Sequence, residues 1–218
     1  MNDNLPSETT PGKKIIFKDI TLSIAAGLGL FFVSLFINYW AGTYASLRAS
    51  NVVSDIILDN IPVFDVGGIF VYGFAAFLIL LGWLMVRKPE RAPFMLKSLS
   101  IFILIRSFFI ILTHIGPIPQ TAAESFNAIV SKFTFTGDLF FSAHTGLPFL
   151  MALVFWKNKI LRNVFIALSI FFGIVVLLGH LHYSIDVFAA FFITFGIFHI
   201  AVRLFKKDYD LLIGRDVV

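Results

Sequence analysis

The sequence predicts an all-α polytopic membrane protein with six transmembrane helices and both termini in the cytoplasm. Hydrophobic residues make up 58% of the 218 residues and charged residues only 14%, whereas a soluble domain carries roughly 25% charged residues. The apolar residues form runs close to the roughly 20 residues that a helix needs to cross a bilayer. These runs do not alternate with polar residues, so a transmembrane β-barrel is not expected.

Six apolar segments account for most of the chain. They are Ile20–Trp40, Val66–Val86, Phe94–Thr113, Leu139–Trp156, Val164–Gly179 and Tyr183–Val202. Residues 1–19 are polar and proline-containing, and predict a disordered cytoplasmic N-terminus rather than a signal peptide. Residues 20–203 form the membrane domain, and residues 204–218 form a cytoplasmic tail. In the first long connection, Asn51–Leu58 is a candidate for a short interfacial helix.

The positive charges lie in alternate connections. Of the 17 Lys and Arg residues, 13 flank the first, third and fifth segments on their N-terminal sides or follow the sixth; Arg48 and Lys132 lie in the other connections. Basic residues collect on the cytoplasmic side of a membrane, so both termini are predicted to be cytoplasmic. No separate basic patch exists, which argues against a nucleic-acid partner. The chain has no cysteine, which excludes disulfides and a thiolate nucleophile.

Polar side chains gather at the predicted outer ends of three segments. His144 opens the fourth, His182 and Asp186 open the sixth, and Arg106 lies in the outer half of the third. Ionisable residues are costly in a bilayer, so this group is a candidate functional site. On a helix, the four-residue spacing of His182 and Asp186 puts them on one face. A carboxylate on one ring nitrogen makes the other nitrogen a better base or nucleophile.

The remaining histidines and one lysine have other interpretations. His180 would point away from His182 on a continuous helix, which favours a structural role at the interface. His114 lies at the outer end of the third segment, and the sequence is compatible with either a structural or a functional role for it. His199 lies near the cytoplasmic end and is interpreted as structural, and Lys97 as a residue that snorkels to the cytoplasmic interface.

Metal binding is a competing use for His144, His182 and Asp186. The sequence has no HExxH spacing and no acidic motif for a second ion. We therefore predict no metal and no other cofactor.

Three stretches resemble motifs of the sphingomyelin synthase family. Residues 137–145, Gly-Asp-Leu-Phe-Phe-Ser-Ala-His-Thr, are similar to the family's Gly-Asp-x-x-Phe-Ser-Gly-His-Thr. Residues 182–187, His-Tyr-Ser-Ile-Asp-Val, resemble its His-Tyr-Thr/Ser-x-Asp-Val, and residues 106–119 its arginine-containing third-helix motif. Residues 54–59 resemble its first-loop acidic stretch more weakly. The resemblance spans about residues 52–202, with motif order and helix count in agreement.

Two positions bear on which branch of the wider lipid phosphate phosphatase superfamily the chain resembles. Ala143 stands where the synthase motif has glycine. Val176 stands six residues before His182, where ordinary lipid phosphate phosphatases have arginine. The chain is therefore more similar to the synthase-like branch.

The resemblance implies transfer of a phospho-head group from a membrane phospholipid. His182 would attack phosphorus, Asp186 would orient it, and His144 would protonate the departing diacylglycerol oxygen and then deprotonate the acceptor. Arg106 would hold the phosphate oxygens. Asp138 would either steer a cationic head group or cap the fourth helix.

The acceptor stays open at this stage. A lipid hydroxyl such as that of ceramide would make the protein a sphingomyelin synthase-like transferase, and water would make it a phospholipase-C-like hydrolase or a lipid phosphate phosphatase. A non-enzymatic lipid transporter is the third class. The expected partners are a phospholipid donor, a lipid hydroxyl or water, and the bilayer. The expected location is a bacterial cytoplasmic membrane, with the site facing the extracytoplasmic side.

Overall fold

Helices form the regular structure of the chain. The computed structural model describes residues 11–119, 121–122 and 140–214, with side chains from residue 19 onward. In these residues there are helices and no strands: α1 (Pro11–Arg48), α2 (Phe74–Arg87, continuing a π-helical turn over Ile69–Gly73), α3 (Ala92–Ile110), α4 (Ala143–Val154), α5 (Lys159–Leu178), α6 (Ser184–Leu204) and α7 (Lys206–Leu212). The predicted all-α class is confirmed.

Within residues 11–119, 121–122 and 140–214, five helical stretches are long and apolar enough to cross a membrane. They are Asp19–Arg48, Ile69–Arg87, Pro89–Ile110, Lys159–Leu178 and Ser184–Leu204, and they correspond to five of the six predicted segments. The other predicted segment, Leu139–Trp156, contains the shorter helix α4. Its 12 residues are about 18 Å long, less than the roughly 30 Å hydrocarbon core. The N-cap at Ser142 and the turn at Phe155 set this length.

Two other boundaries differ from the prediction. The first helix begins at Pro11, so residues 11–19, expected to be disordered, are helical. The predicted interfacial helix over Asn51–Leu58 is wrong: residues 51–55 are irregular, and only Leu58–Asn60 forms a 3₁₀ turn. Asp55 explains the difference. Its carboxylate accepts the N–H groups of Ile57 and Leu58, which in a continuous α-helix would donate to backbone carbonyl oxygens instead.

The centre of the bundle is α3. Its Phe94, Met95 and Phe102 are buried, because α1 packs along one side and α4 and α6 pack on another. Gly146 of α4 allows close approach: a Cβ there would lie 2.8 Å from the Phe102 ring and 2.9 Å from Thr194 Oγ1 of α6. Small residues at such contacts are typical of membrane helices. This packing brings the starts of α4 and α6 together.

The end of the bundle near the termini is closed by an ion pair. Lys97 Nζ of α3 lies 2.6 Å from Asp208 Oδ2 of α7, and Ser23 of α1 hydrogen-bonds both side chains. Lys97, which was predicted to snorkel to the cytoplasmic interface, is held at this end of the bundle by its ion pair with α7. The loops before α2 and after α3 meet the starts of α4 and α6 at the opposite end.

Candidate active site

The start of α6 holds the predicted histidine–carboxylate pair. His182 Nδ1 lies 3.4 Å from Asp186 Oδ2, and both side chains are buried. The two residues do not share a helical face, because α6 begins at Ser184, after His182. Asp186 instead turns back over the helix start, where its Oδ2 also accepts the Tyr183 N–H at 3.0 Å. With Nδ1 against the carboxylate, Nε2 is the nitrogen of His182 that remains for chemistry.

Asp55, in the loop before α2, holds the turn that carries His182. Its Oδ2 accepts the Ser184 N–H at 2.7 Å, and its Oδ1 accepts the Ile57 and Leu58 N–H groups at 2.9 and 3.1 Å. Burial by itself would raise the pKa of this carboxyl, but the three N–H donors outweigh burial and the pKa is lowered. Asp55 is therefore an anion at the start of α6, where the helix dipole favours negative charge.

Tyr183 joins the two outer loops to α6. Its hydroxyl donates to the Gly116 carbonyl at 3.0 Å and accepts the Val53 N–H at 3.4 Å. The Gly116 N–H in turn donates to the Asn51 carbonyl at 2.9 Å. A side chain at position 116 has no room, since its Cβ would lie 2.5 Å from the Ser50 carbonyl oxygen. These contacts hold both loops against the turn that bears His182.

The start of α4 lies directly beside the start of α6. Ser142 caps α4, and its N–H donates to the Asp186 carbonyl at 3.1 Å. His144 lies in the first turn of α4. The start of α4, which carries His144, is therefore joined to the start of α6, which carries Asp186.

Aromatic rings surround His144. The ring centroids of Phe70 and Phe74 lie 3.9 and 4.1 Å from the imidazole centroid, at interplanar angles of 24° and 41°. Phe172 of α5 meets the imidazole edge-on at 6.2 Å. The Phe70 and Phe74 contacts restrict the plane in which the imidazole can lie.

Arg106 connects α3 to the segment that precedes α4. It is buried, and its Nε donates to the Phe141 carbonyl at 2.7 Å. A guanidinium has five N–H donors in a fixed plane, so this hydrogen bond sets the plane of the group close to His144. Arg106 is therefore held against the segment that leads into α4.

The other histidines lie apart from this group. His114 packs its ring against Tyr44 at 5.6 Å. His180 is buried in the turn between α5 and α6 with a φ of 51°, so it is not on the continuous helix that the prediction assumed. His199 is exposed and its Nδ1 donates to the Phe195 carbonyl at 2.8 Å, one turn earlier in α6.

Two predictions concern ligands of the site. Asp138, expected to steer a head group or cap the fourth helix, lies outside the described residues. Within the described part of the chain, no group of three or more His, Asp or Glu side chains is arranged to hold a metal ion. The arrangement that the described residues do provide is a paired histidine, a second histidine and an arginine, which suits acid–base and nucleophilic chemistry.

The sequence reasoning assigned no role to Asp55, Tyr183 or the phenylalanines around His144. Asp55 had a signal, because it lies in the stretch 54–59 that resembles the first loop of the synthases. Phe70 and Phe74 had none, because a chain with 28 phenylalanines gives no pattern that pairs two of them with a distant histidine.

Comparison with known families gives a match in the second half of the chain. Residues 136–203 match the family model described as PAP2 superfamily C-terminal. The match supports a relationship between this chain and the PAP2-like superfamily. It contains His144, His182 and Asp186, whereas Arg106 and Asp55 precede it. Superfamily members are phosphatases and phosphotransferases, which supports an enzyme that acts on lipid phosphates.

No curated protein matches the chain. No solved structure matches it either.

Proposed function

We propose that this PAP2-like protein is a lipid phosphotransferase that moves a phospho-head group from a glycerophospholipid to a lipid hydroxyl, as sphingomyelin synthases do. The observation that carries the proposal is the His182–Asp186 contact at the start of α6, together with the hydrogen bond that joins this start to the start of α4, the helix that carries His144. Two helix N-termini at one place present the positive ends of their dipoles, which suits a phosphate group.

In the first half of the reaction, Nε2 of His182 attacks phosphorus. A P–N bond forms while the bond from phosphorus to the diacylglycerol oxygen breaks. His144 gives its proton to that oxygen, so diacylglycerol leaves as a neutral alcohol. Asp186, against Nδ1 at 3.4 Å, stabilises the positive charge that develops on the His182 ring.

In the second half, His144 takes the proton from the acceptor hydroxyl. The acceptor oxygen forms a new bond to phosphorus, and the P–N bond to His182 breaks. Both histidines return to their starting state, so the cycle needs no redox partner. Arg106 supports both halves, since a fixed guanidinium near His144 can stabilise charge on the phosphate oxygens.

Water is the second candidate acceptor. The PAP2 match favours it, because the superfamily contains phosphatases as well as phosphotransferases. The same residues would then release a phosphorylated head group, or inorganic phosphate from phosphatidic acid.

The two functions separate in one assay. The purified full-length chain is incubated with labelled phosphatidylcholine, phosphatidylethanolamine or phosphatidic acid, with and without ceramide. Transfer predicts label on ceramide together with release of an equal amount of diacylglycerol. Hydrolysis predicts water-soluble label whether or not ceramide is present.

His182→Asn keeps the size of the side chain but removes the nucleophile, so it should reduce either activity to background. His199→Asn is the matched control, because His199 is exposed and lies in the second half of α6. Consumption of donor at the wild-type rate by His182→Asn would overturn the proposed function, and so would a wild-type protein inert towards all three donors.

A further inference from the structure

We propose that Phe70 and Phe74 are positioning residues that act through His144, holding its ring for proton transfer to the leaving oxygen. The inference rests on the proposed function, in which His144 is the general acid. We call the group of Phe70, Phe74 and Phe172 around His144 the aromatic slot.

The imidazole of His144 lies between the rings of Phe70 and Phe74. Each ring is near van der Waals distance, with centroids 3.9 and 4.1 Å from the imidazole centroid. Two phenyl rings cannot both cover one face of a five-membered ring at this distance, so Phe70 and Phe74 occupy opposite faces. The two rings then oppose rotation of the imidazole out of its plane.

The backbone at the slot is suited to this arrangement. Phe70 lies in the π-helical turn Ile69–Gly73, and Phe74 begins the α-helix that follows. Single π-helical turns within α-helices occur frequently at functional sites. Gly73 lets Phe172 approach, because a Cβ at position 73 would lie 3.3 Å from the Phe172 ring. Phe172 in turn packs edge-on against Phe74, at 5.9 Å and 82°.

The slot also acts on the charge of His144. The face of an aromatic ring is negative and attracts a cation, so both phenyl faces stabilise the imidazolium that donates the proton. The slot therefore favours the protonated ring that the general-acid step requires.

Leucine substitutions test the slot, because leucine keeps an apolar side chain but removes the aromatic face. With a lipid donor, Phe70→Leu and Phe74→Leu should each slow turnover by roughly five- to tenfold, the size of one lost aromatic–cation contact. Phe74→Tyr keeps the aromatic face and should therefore lose less turnover than Phe74→Leu. Phe77→Leu is the matched control, since Phe77 is buried one turn further along α2 and packs on Phe74 and Phe165.

The readout that separates positioning from a structural role is the donor's leaving group. A p-nitrophenyl phosphodiester needs little proton donation, so the Phe70 and Phe74 defects should largely disappear with it. On a His144→Ala background, Phe74→Leu should cause no further loss with the lipid donor. Equal losses with both donors, or a loss that adds to that of His144→Ala, would overturn the inference.

A chemical measurement tests the slot without using activity. Diethyl pyrocarbonate modifies accessible neutral imidazoles, and mass spectrometry of the His144 peptide gives the rate. Phe70→Leu and Phe74→Leu should raise this rate several-fold and Phe77→Leu should not; an unchanged rate in all three overturns the slot. The general-acid role of His144 has its own test. If the p-nitrophenyl phosphodiester does not rescue His144→Ala, that part of the proposed function is wrong, whatever the phenylalanine variants show.

Discussion

At the residue scale, His182, Asp186 and Arg106 each have a polar contact that sets the direction of the side chain. Asp186 contacts the His182 ring and the Tyr183 N–H, and Arg106 donates to a backbone carbonyl beside α4. In an apolar environment, a polar group without a hydrogen-bond partner destabilises the fold by an amount on the order of several kcal/mol. These contacts therefore stabilise the site. The contact of Nδ1 with Asp186 also fixes the orientation of the His182 ring, and with it the direction of Nε2.

Asp55→Asn tests whether the first loop holds the start of α6. The pKa of this carboxyl is lowered in the folded protein, so its contribution to stability is present above the ordinary carboxyl pKa of about 4. It is lost as the pH falls through the lower pKa of the folded state. At pH 7 the variant should be less stable by about 1 kcal/mol, as for the loss of a helix cap.

Thermal unfolding in detergent from pH 7 to pH 3 measures this difference. The gap between wild type and Asp55→Asn should stay constant down to about pH 5 and narrow below about pH 4. The exposed Asp19→Asn is the matched control. A gap that widens on acidification would show that the carboxylate does not stabilise the turn.

The site was partly predictable from the sequence at this scale. His144, His182, Asp186 and Arg106 could be found because ionisable residues are rare in apolar segments. The form of the pair could not be found, because the four-residue spacing does not reveal that α6 starts after His182.

At the element scale, the close packing of α4 on α3 and α6 positions His144. Gly146→Ala should destabilise the protein by about 1–3 kcal/mol, the cost of overpacking, because the new Cβ would lie within 3 Å of Phe102 and Thr194. Activity should fall as well, because Gly146 is two residues from His144. Gly82→Ala, whose Cβ would meet nothing within 4 Å, is the matched control. Equal melting temperatures for the two variants would contradict the packing.

The helices could be predicted from apolar runs, but their ends depend on contacts that the sequence does not reveal. α4 starts at the Ser142 cap, whose N–H bonds to the Asp186 carbonyl 44 residues later in the chain. The first loop is irregular because the Asp55 carboxylate accepts three backbone N–H groups. Both are long-range or side-chain effects that override the local pattern.

At the scale of the whole molecule, the site and the residues near the termini lie at opposite ends of the bundle. The Lys97–Asp208 pair joins α3 to α7 at one end, and the Asp55–Ser184 contact joins the first loop to α6 at the other. If both termini are cytoplasmic, as the charge distribution predicts, the site faces the extracytoplasmic side.

Cysteine labelling tests this orientation, because the chain has no native cysteine. Ser54→Cys lies in the exposed first loop, and Asn158→Cys lies between α4 and α5. In sealed right-side-out vesicles, an impermeant maleimide should label Ser54→Cys and reach Asn158→Cys only after the membrane is permeabilised. The reverse pattern would place the site in the cytoplasm.

The central claim is that His182 is the nucleophile, and trapping its covalent adduct tests it most directly. The protein is mixed with a p-nitrophenyl phosphodiester, quenched under alkaline conditions, digested and analysed by mass spectrometry. Because Nδ1 faces Asp186, the phosphoryl group should be found on Nε2 of His182. It should accumulate in His144→Ala, which lacks the base for the second step, and be absent in His182→Ala. An adduct on His144, or burst-free turnover with no adduct on His182, would contradict the account.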